Sequence, residues 1–393
     1  MPIYCEPITE IKLESLEDVH DRLSGTKNYL SRVPVEGIIE NRAIFHDDEY
    51  FGDGEVMLRF NEHSIRSFCQ RLGFRFDQLR MIETPSLPSQ VLNDLIQQSA
   101  IKEKLKDDEF VIDTRSNVII GMVSRTYVGY TNDQFLEDIE NYLRKEVKDQ
   151  FQFHEAFDIN TELTIRFQSK IHHGIIQGRT GQREDRTLLG LEFRNSMVGT
   201  SAVRINYYLL RLVCTNGMMV SAGSAVNRVF HSGNLDSFNN RLEFCYREVI
   251  RRIDLVKSML QTLGKIPYES HRLAENEITN QRIFEIIPAL KQSICDKEKQ
   301  YLRYPSDCTE EDKKKIKLDH DAHIIDLIPY YYGGEEASRI FKSRMRDSVT
   351  MFDFLNVFTE YAKKNNSPSK QLEIEEKTGG LAKYISDNAK KFN

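Results

Sequence analysis

From Phe151 to about Val229 one strand-forming run follows another with no space for a helix between them. "ELTIRFQSKIHH", "DRTLLGLEFRNS" and "SAVRINYYLLRLVC" are rich in β-branched and aromatic residues, and Gly-, Asn- and Ser-containing turns separate them. Parallel neighbours need a crossover of a dozen or more residues, so strands this closely spaced favour antiparallel pairing. The constraint predicts an α+β fold: an antiparallel β-meander core backed by helices, with a helical C-terminal part.

The last run continues as "LVCTNGMMV", where Asn216-Gly217 can adopt the positive φ angles of a tight hairpin turn. Alternation puts Tyr208, Leu210, Leu212 and Cys214 on one face, and Leu209, Arg211 and Val213 on the other. A nucleophilic cysteine needs an imidazole, a cation or a helix N-terminus to lower its pKa. Cys214 instead shares its face with apolar groups, so it reads as packed inside.

Around this block the period changes. Before it, "VEGIIENRAIFHDD" and "GEVMLRF" read as strands, and Asn61 caps a helix carrying Ile65, Phe68, Cys69 and Leu72 that stops at Gly73. Ser89 can cap a second helix, "EFVIDTRSNVIIGMV" reads as two strands, and Thr131 caps a helix with Phe135, Ile139 and Leu143. After it, apolar spacing predicts one long helix from Phe238 to Leu263, another from Glu277 to Leu302, and two more near 350–364 and 370–391. The reading divides the chain into an α+β core over 1–230 and a helical region over 231–393, with a charged, exposed insertion near 296–323.

Composition removes several functional classes. A net charge of −6 argues against a globally basic coat protein, though not against a local basic surface. The longest apolar stretches, such as Asn117 to Val123, are strand-sized, so no membrane span is expected. The first residues carry acids where an export signal needs a basic end. The six cysteines are scattered without a C-x-x-C pair, which indicates reduced thiols, a cytoplasmic setting and no structural zinc. No P-loop, dinucleotide fingerprint, nucleophile elbow or H-E-x-x-H motif is present, and no cofactor is indicated. One catalytic alternative stands on "DHDAH", Asp319 to His323. Two imidazoles at i and i+3 beside carboxylates suggest the metal site of a nuclease, or else a solvated helix start.

The strongest functional signal is local charge. Between Thr161 and Thr215 eight Lys and Arg face four acids, interleaved with Phe167, Phe193, Tyr207 and Tyr208. Cations and aromatics on a sheet can track a phosphate backbone and stack bases. Arg166, Lys170, Arg179, Arg183, Arg204 and Arg211 are the candidate phosphate contacts, and Tyr207 and Tyr208 the candidate stacking residues. The segment from Lys170 to Arg186 reads as a loop over the sheet. The expected ligand is single-stranded DNA, bound without catalysis by a homo-oligomer. A second reading is a protein-interaction module that docks a host protein through the Phe-rich stretch Thr350 to Lys364.

Three segments carry a family resemblance: "SRTYVGYTNDQFLEDI", "LLGLEFRNSMVGTSAVRINYYLLRLVCTNGMMV" and "TMFDFLNVFTEYAKKN" followed by "LEIEEKTGGLAKYI". Together they resemble the phage- and plasmid-associated family catalogued as domain of unknown function 932. Phe352, Phe354 and Phe358 stand where that family more often has small or basic residues. The resemblance supplies no catalytic residues. It implies a role in DNA metabolism, recombination or interference with host defence, and the α+β pattern is loosely similar to Rad52-type single-strand annealing proteins.

Overall fold

The closely spaced strands pair with their sequence neighbours. The computed structural model describes residues 4–40, 44–46, 50–52, 57–148, 150–177, 184–211, 216–220, 227–333, 335–342 and 349–392. Its strands, in chain order, are β1 (Glu10–Leu13), β2 (Leu30–Pro34), β3 (Ile44–His46), β4 (Tyr50–Gly52), β5 (Met57–Phe60), β6 (Asp108–Asp113), β7 (Val118–Ser124), β8 (Phe151–Ile159), β9 (Glu162–Gln177), β10 (Glu184–Ser196), β11 (Val203–Arg211), β12 (Asn216–Val220) and β13 (Arg228–Val229). The larger sheet runs β1-β8-β9-β10-β11-β12, with β13 beside the start of β11; every pairing in it is antiparallel. The expected α+β class with an antiparallel meander is the observed one.

The smaller sheet, β2-β6-β7-β5-β4-β3, contains one parallel pair, β5 with β7. Its core gathers Phe45, Phe51, Phe60, Phe68 and Phe110, whose ring centroids lie 4.9 to 6.2 Å apart. The helix Glu62–Leu72 closes over this core. It starts where Asn61 accepts the Ser64 N–H and ends at Gly73 with φ +99°. Buried residues of the larger sheet and of the C-terminal helices form a second, continuous cluster from Leu13 to Phe392.

Alternation gives the larger sheet two unlike faces. Leu191, Phe193, Ile205, Tyr207 and Leu209 are buried on the apolar face. There the Tyr207 hydroxyl donates to the Val249 carbonyl of helix Leu235–Arg251, and Phe193 stacks near Tyr246. The opposite face carries Glu155, Arg166, Glu192, Arg194, Arg204 and Asn206. Helix Pro368–Asp387, called here the closing helix, lies across it.

Several expected boundaries move. The helix expected from Ser89 begins at Leu87, because Pro88 suits a first turn, and Ser89 is buried within it. The long helix expected from Phe238 to Leu263 breaks at Arg252 into Leu235–Arg251 and Ile253–Lys265. The one expected to reach Leu302 breaks at Pro288 into Glu277–Ile286 and Leu290–Glu298. The charged stretch is helical over its second half. Thr309 and Asp312 form a capping box that opens a 23-residue helix, Glu310–Tyr332, with acids in its first turn. Asn216-Gly217 is not a turn: β11 ends at Arg211, which pairs with Asn216, so both residues lie in β12. Cys214 falls outside the described residues.

The Phe-rich helix Met351–Lys363 offers no docking face. Phe352, Phe354 and Phe358 are at most 2% exposed, so the expected apolar surface is core. Among the described residues no helix is long and apolar enough to cross a membrane.

The closing helix approaches β12 closely only because residue 379 is glycine. A Cβ there would sit 1.4 Å from the Met219 carbonyl oxygen, whereas at Gly380 it would meet nothing within 4 Å. Gly379→Ala should therefore cost at least about 1–3 kcal/mol through overpacking, whereas Gly380→Ala should gain up to about 1 kcal/mol from helix propensity. Urea unfolding midpoints of the two variants test this. Equal midpoints would contradict the close approach.

Candidate functional site

Six strand positions and one helix build the polar face. In the register, Glu155 opposes Arg166 and Arg166 opposes Glu192, so a cation sits between carboxylates on both neighbouring strands. Arg166 is fully buried. Its Nε donates to Glu192 at 2.8 Å and its Nη1 to Glu155 at 2.9 Å, while its Nη2 donates to Glu375 of the closing helix. The guanidinium also lies over the Tyr208 ring, 4.2 Å from its centroid, and near Phe157 at 5.2 Å. Gln371 donates to the free oxygen of Glu375 at 3.0 Å, and Lys12 sits 3.2 Å from Glu155.

Three carboxylates around one guanidinium do not behave alike. Burial pushes the Glu155 carboxyl up, but Arg166, His154 and Lys12 outweigh it and hold it at about 2. Burial also pushes Glu375 up, and there Arg166 and Gln371 offset only part of the effect. Burial disfavours the charge on Arg166, yet Glu375, Glu192 and Glu155 hold it firmly protonated.

One step along the strands lies a row of arginines. Arg194 opposes Arg204 across β10 and β11, and Arg204 opposes Arg228 across β11 and β13. Residues directly opposite in an antiparallel pair share a face, so the three side chains line up. Glu376 of the closing helix reaches Arg204 at 2.9 Å and Arg194 at 3.5 Å. Arg194 also lies 3.8 Å from Glu192, which joins the row to the buried cluster.

The expected nucleic-acid residues separate into two groups. Arg166, Tyr207 and Tyr208 are at most 1% exposed. As a correction, none of the three can touch a polynucleotide in this fold: the closing helix covers Arg166 and Tyr208, and helix Leu235–Arg251 covers Tyr207. Arg204 is one-fifth exposed and bonded to Glu376. Lys170 is exposed, and Arg211 closes β11 opposite Thr187. Arg179 and Arg183 fall outside the described residues. The stretch read as a loop is strand on both sides of them: β9 runs on past Ser169, the last residue to pair with β8, and residues 173–177 pair with β10 as far as Glu184. Past the Thr187–Arg211 pair, where β10 leaves β11, the pairing among the described residues is that of residues 175–177 with 184–186.

The metal reading of Asp319 to His323 finds no ligand set. Asp321 is buried and accepts from Asn280 at 2.8 Å and from Lys291, with His320 at 3.4 Å. Among the described residues no group of three or more His, Cys, Asp or Glu could hold a metal ion.

A family match covers residues 120–386, more than half of the chain, and its description is Domain of unknown function (DUF932). The chain belongs to the DUF932 family. No curated protein and no solved structure matches it. The DUF932 span contains Glu155, Arg166, Glu192 and Glu375, so the whole buried cluster lies within the family region, whereas most of the smaller sheet precedes it.

Glu155, Glu192 and Glu375 escape sequence reasoning because no local pattern joins them. The available signal was the alternation of charges along β9, β10 and β11, read above as phosphate contacts. The Glu155 shift sets a pH dependence. Because its folded value lies below the ordinary 4.5, its stabilisation is full above pH 4.5 and drains away as pH falls towards 2. Glu155→Gln should cost about 3 kcal/mol at pH 7 and progressively less below pH 4.5. Denaturant titrations of both proteins across that range check this; a cost independent of pH would contradict it.

Proposed function

We propose that this DUF932 protein binds DNA, single-stranded DNA in particular, without catalysing a reaction on it. The supporting observation is the end of the sheet where β9 and β10 run on to Gln177 and Glu184, with Lys170 exposed on β9 and Ile171 beside it 54% exposed. Between Ser169 and Thr187 the sequence supplies Lys170, Arg179, Arg183 and Arg186 against Glu184 and Asp185, a cationic stretch in a chain of net charge −6. Arg211 ends the neighbouring strand at the same edge. Antiparallel ribbons bearing cations are an established way to engage nucleic acid, and phosphate contacts alone give salt-dependent affinity.

With Tyr207 and Tyr208 in the core, base stacking by these residues drops out and phosphate contact carries the proposal. The resemblance to a phage- and plasmid-associated family supports a setting in the DNA metabolism of mobile elements.

A second reading, docking of a host protein, is favoured by Phe244 and Leu255. They are 56% and 65% exposed on consecutive helices.

Fluorescence anisotropy of a labelled oligonucleotide over a salt series distinguishes the two. The DNA reading predicts affinity that falls with salt, stronger for a single strand than for a duplex. A Lys170→Ala/Arg179→Ala/Arg183→Ala variant should lower the slope of log affinity on log salt by about 2, at about 0.7 per lost phosphate contact. Absence of binding at low salt, or an unchanged slope in the variant, would overturn the DNA reading.

A further inference from the structure

The arginine row is incomplete as a purely structural feature. Like charges placed directly opposite on adjacent strands repel, and here three occupy consecutive strands. Their principal counter-charge, Glu376, is 42% exposed and divided between two of them. Arg194 is only 9% exposed, yet its Nε and one Nη are buried without a hydrogen-bond partner, and so is the Nε of Arg204. Leaving such donors unmatched costs free energy that an apolar pair would avoid. From Arg194 through Arg204 to exposed Arg228 the row grades from core to surface.

We propose that Arg194, Arg204 and Arg228 form a binding site for a phosphate-class oxyanion, with Glu376 as the built-in competitor that occupies part of the row in the ligand's absence. A tetrahedral oxyanion presents enough acceptors on one centre to be shared by three guanidinium groups, whereas a carboxylate such as Glu376 offers two oxygens. The site does not rest on the DNA reading. It lies at the opposite end of β11 from Arg211, about 23 Å away at about 3.3 Å per residue. The phosphate can belong to a small phosphorylated molecule or to a polynucleotide backbone, since the chemistry at the arginines is the same.

The test is calorimetric titration of the full chain with inorganic phosphate in a low-salt, phosphate-free buffer. Saturable binding is expected. Arg204→Gln and Arg228→Gln should each weaken it at least about tenfold, the scale of one charge-assisted hydrogen bond lost. Glu376→Gln should tighten it several-fold by removing the competitor. Arg228 is exposed, so its variant should keep the wild-type melting temperature and separates loss of binding from loss of fold. Adding a single-stranded oligonucleotide lacking a terminal phosphate identifies the source. Displacement of phosphate from the row assigns a polynucleotide backbone, and undisturbed phosphate binding assigns a small phosphorylated ligand; either supports the site. No saturable phosphate binding by the wild type, or equal affinity in the Arg204 and Arg228 variants, would reduce the row to an ion cluster and overturn the proposal. If the oligonucleotide fails to bind while phosphate binds, the DNA reading falls and the oxyanion site stands.

Discussion

A fully buried guanidinium cannot be left unpaired, and the arrangement of the larger sheet follows from how Arg166 is satisfied. Strand register supplies two of its partners, Glu155 and Glu192, from the strands on either side. The third, Glu375, lies 209 positions further along the chain. Bringing it to Arg166 obliges the closing helix to cross the polar face of the meander, and Gly379 lets that helix descend onto the backbone of β12. The same helix then carries Glu376 to the arginine row. One ion cluster thus joins the C-terminal segment to the sheet and fixes what the rest of that face can do.

The cluster also explains which parts of the sheet can face a ligand. Its middle is closed on both sides, by apolar helices against Tyr207 and by the closing helix against Arg166 and Tyr208. Among the described residues of this face, exposed cations lie towards its two ends: Lys170 on β9, and Arg228 at the end of the row from Arg194. A chain of net negative charge thus carries local concentrations of cations, in the sequence between Ser169 and Thr187 and in the arginine row.

Much of the fold was legible in the sequence because its signals are local. Asn61, Gly73 and Thr131 act where short-range capping rules place them, and closely spaced strands leave only the antiparallel meander. Helix breaks at Arg252 and Pro288 and the capped start at Thr309 were harder, since an apolar stripe continues through a kink and a charged composition conceals a helix. The functional face was legible only in part. Arg204 and Lys170 were singled out by charge alone, but charge does not say whether a cation meets water or a carboxylate from a distant helix. Arg166 in "TIRFQ" therefore resembled a surface contact, although its partners, and so its burial, are set by tertiary packing.

Arg166 and Glu375 hold the closing helix to the sheet, and a double-mutant cycle between them measures that hold. Unfolding free energies would be measured for Arg166→Met, Glu375→Gln and the double variant. Arg166→Met alone should cost about 3–5 kcal/mol, because it strands buried carboxylates. The double variant should cost less than the sum of the singles by more than about 1 kcal/mol. Strict additivity, with no coupling between the two residues, would contradict it.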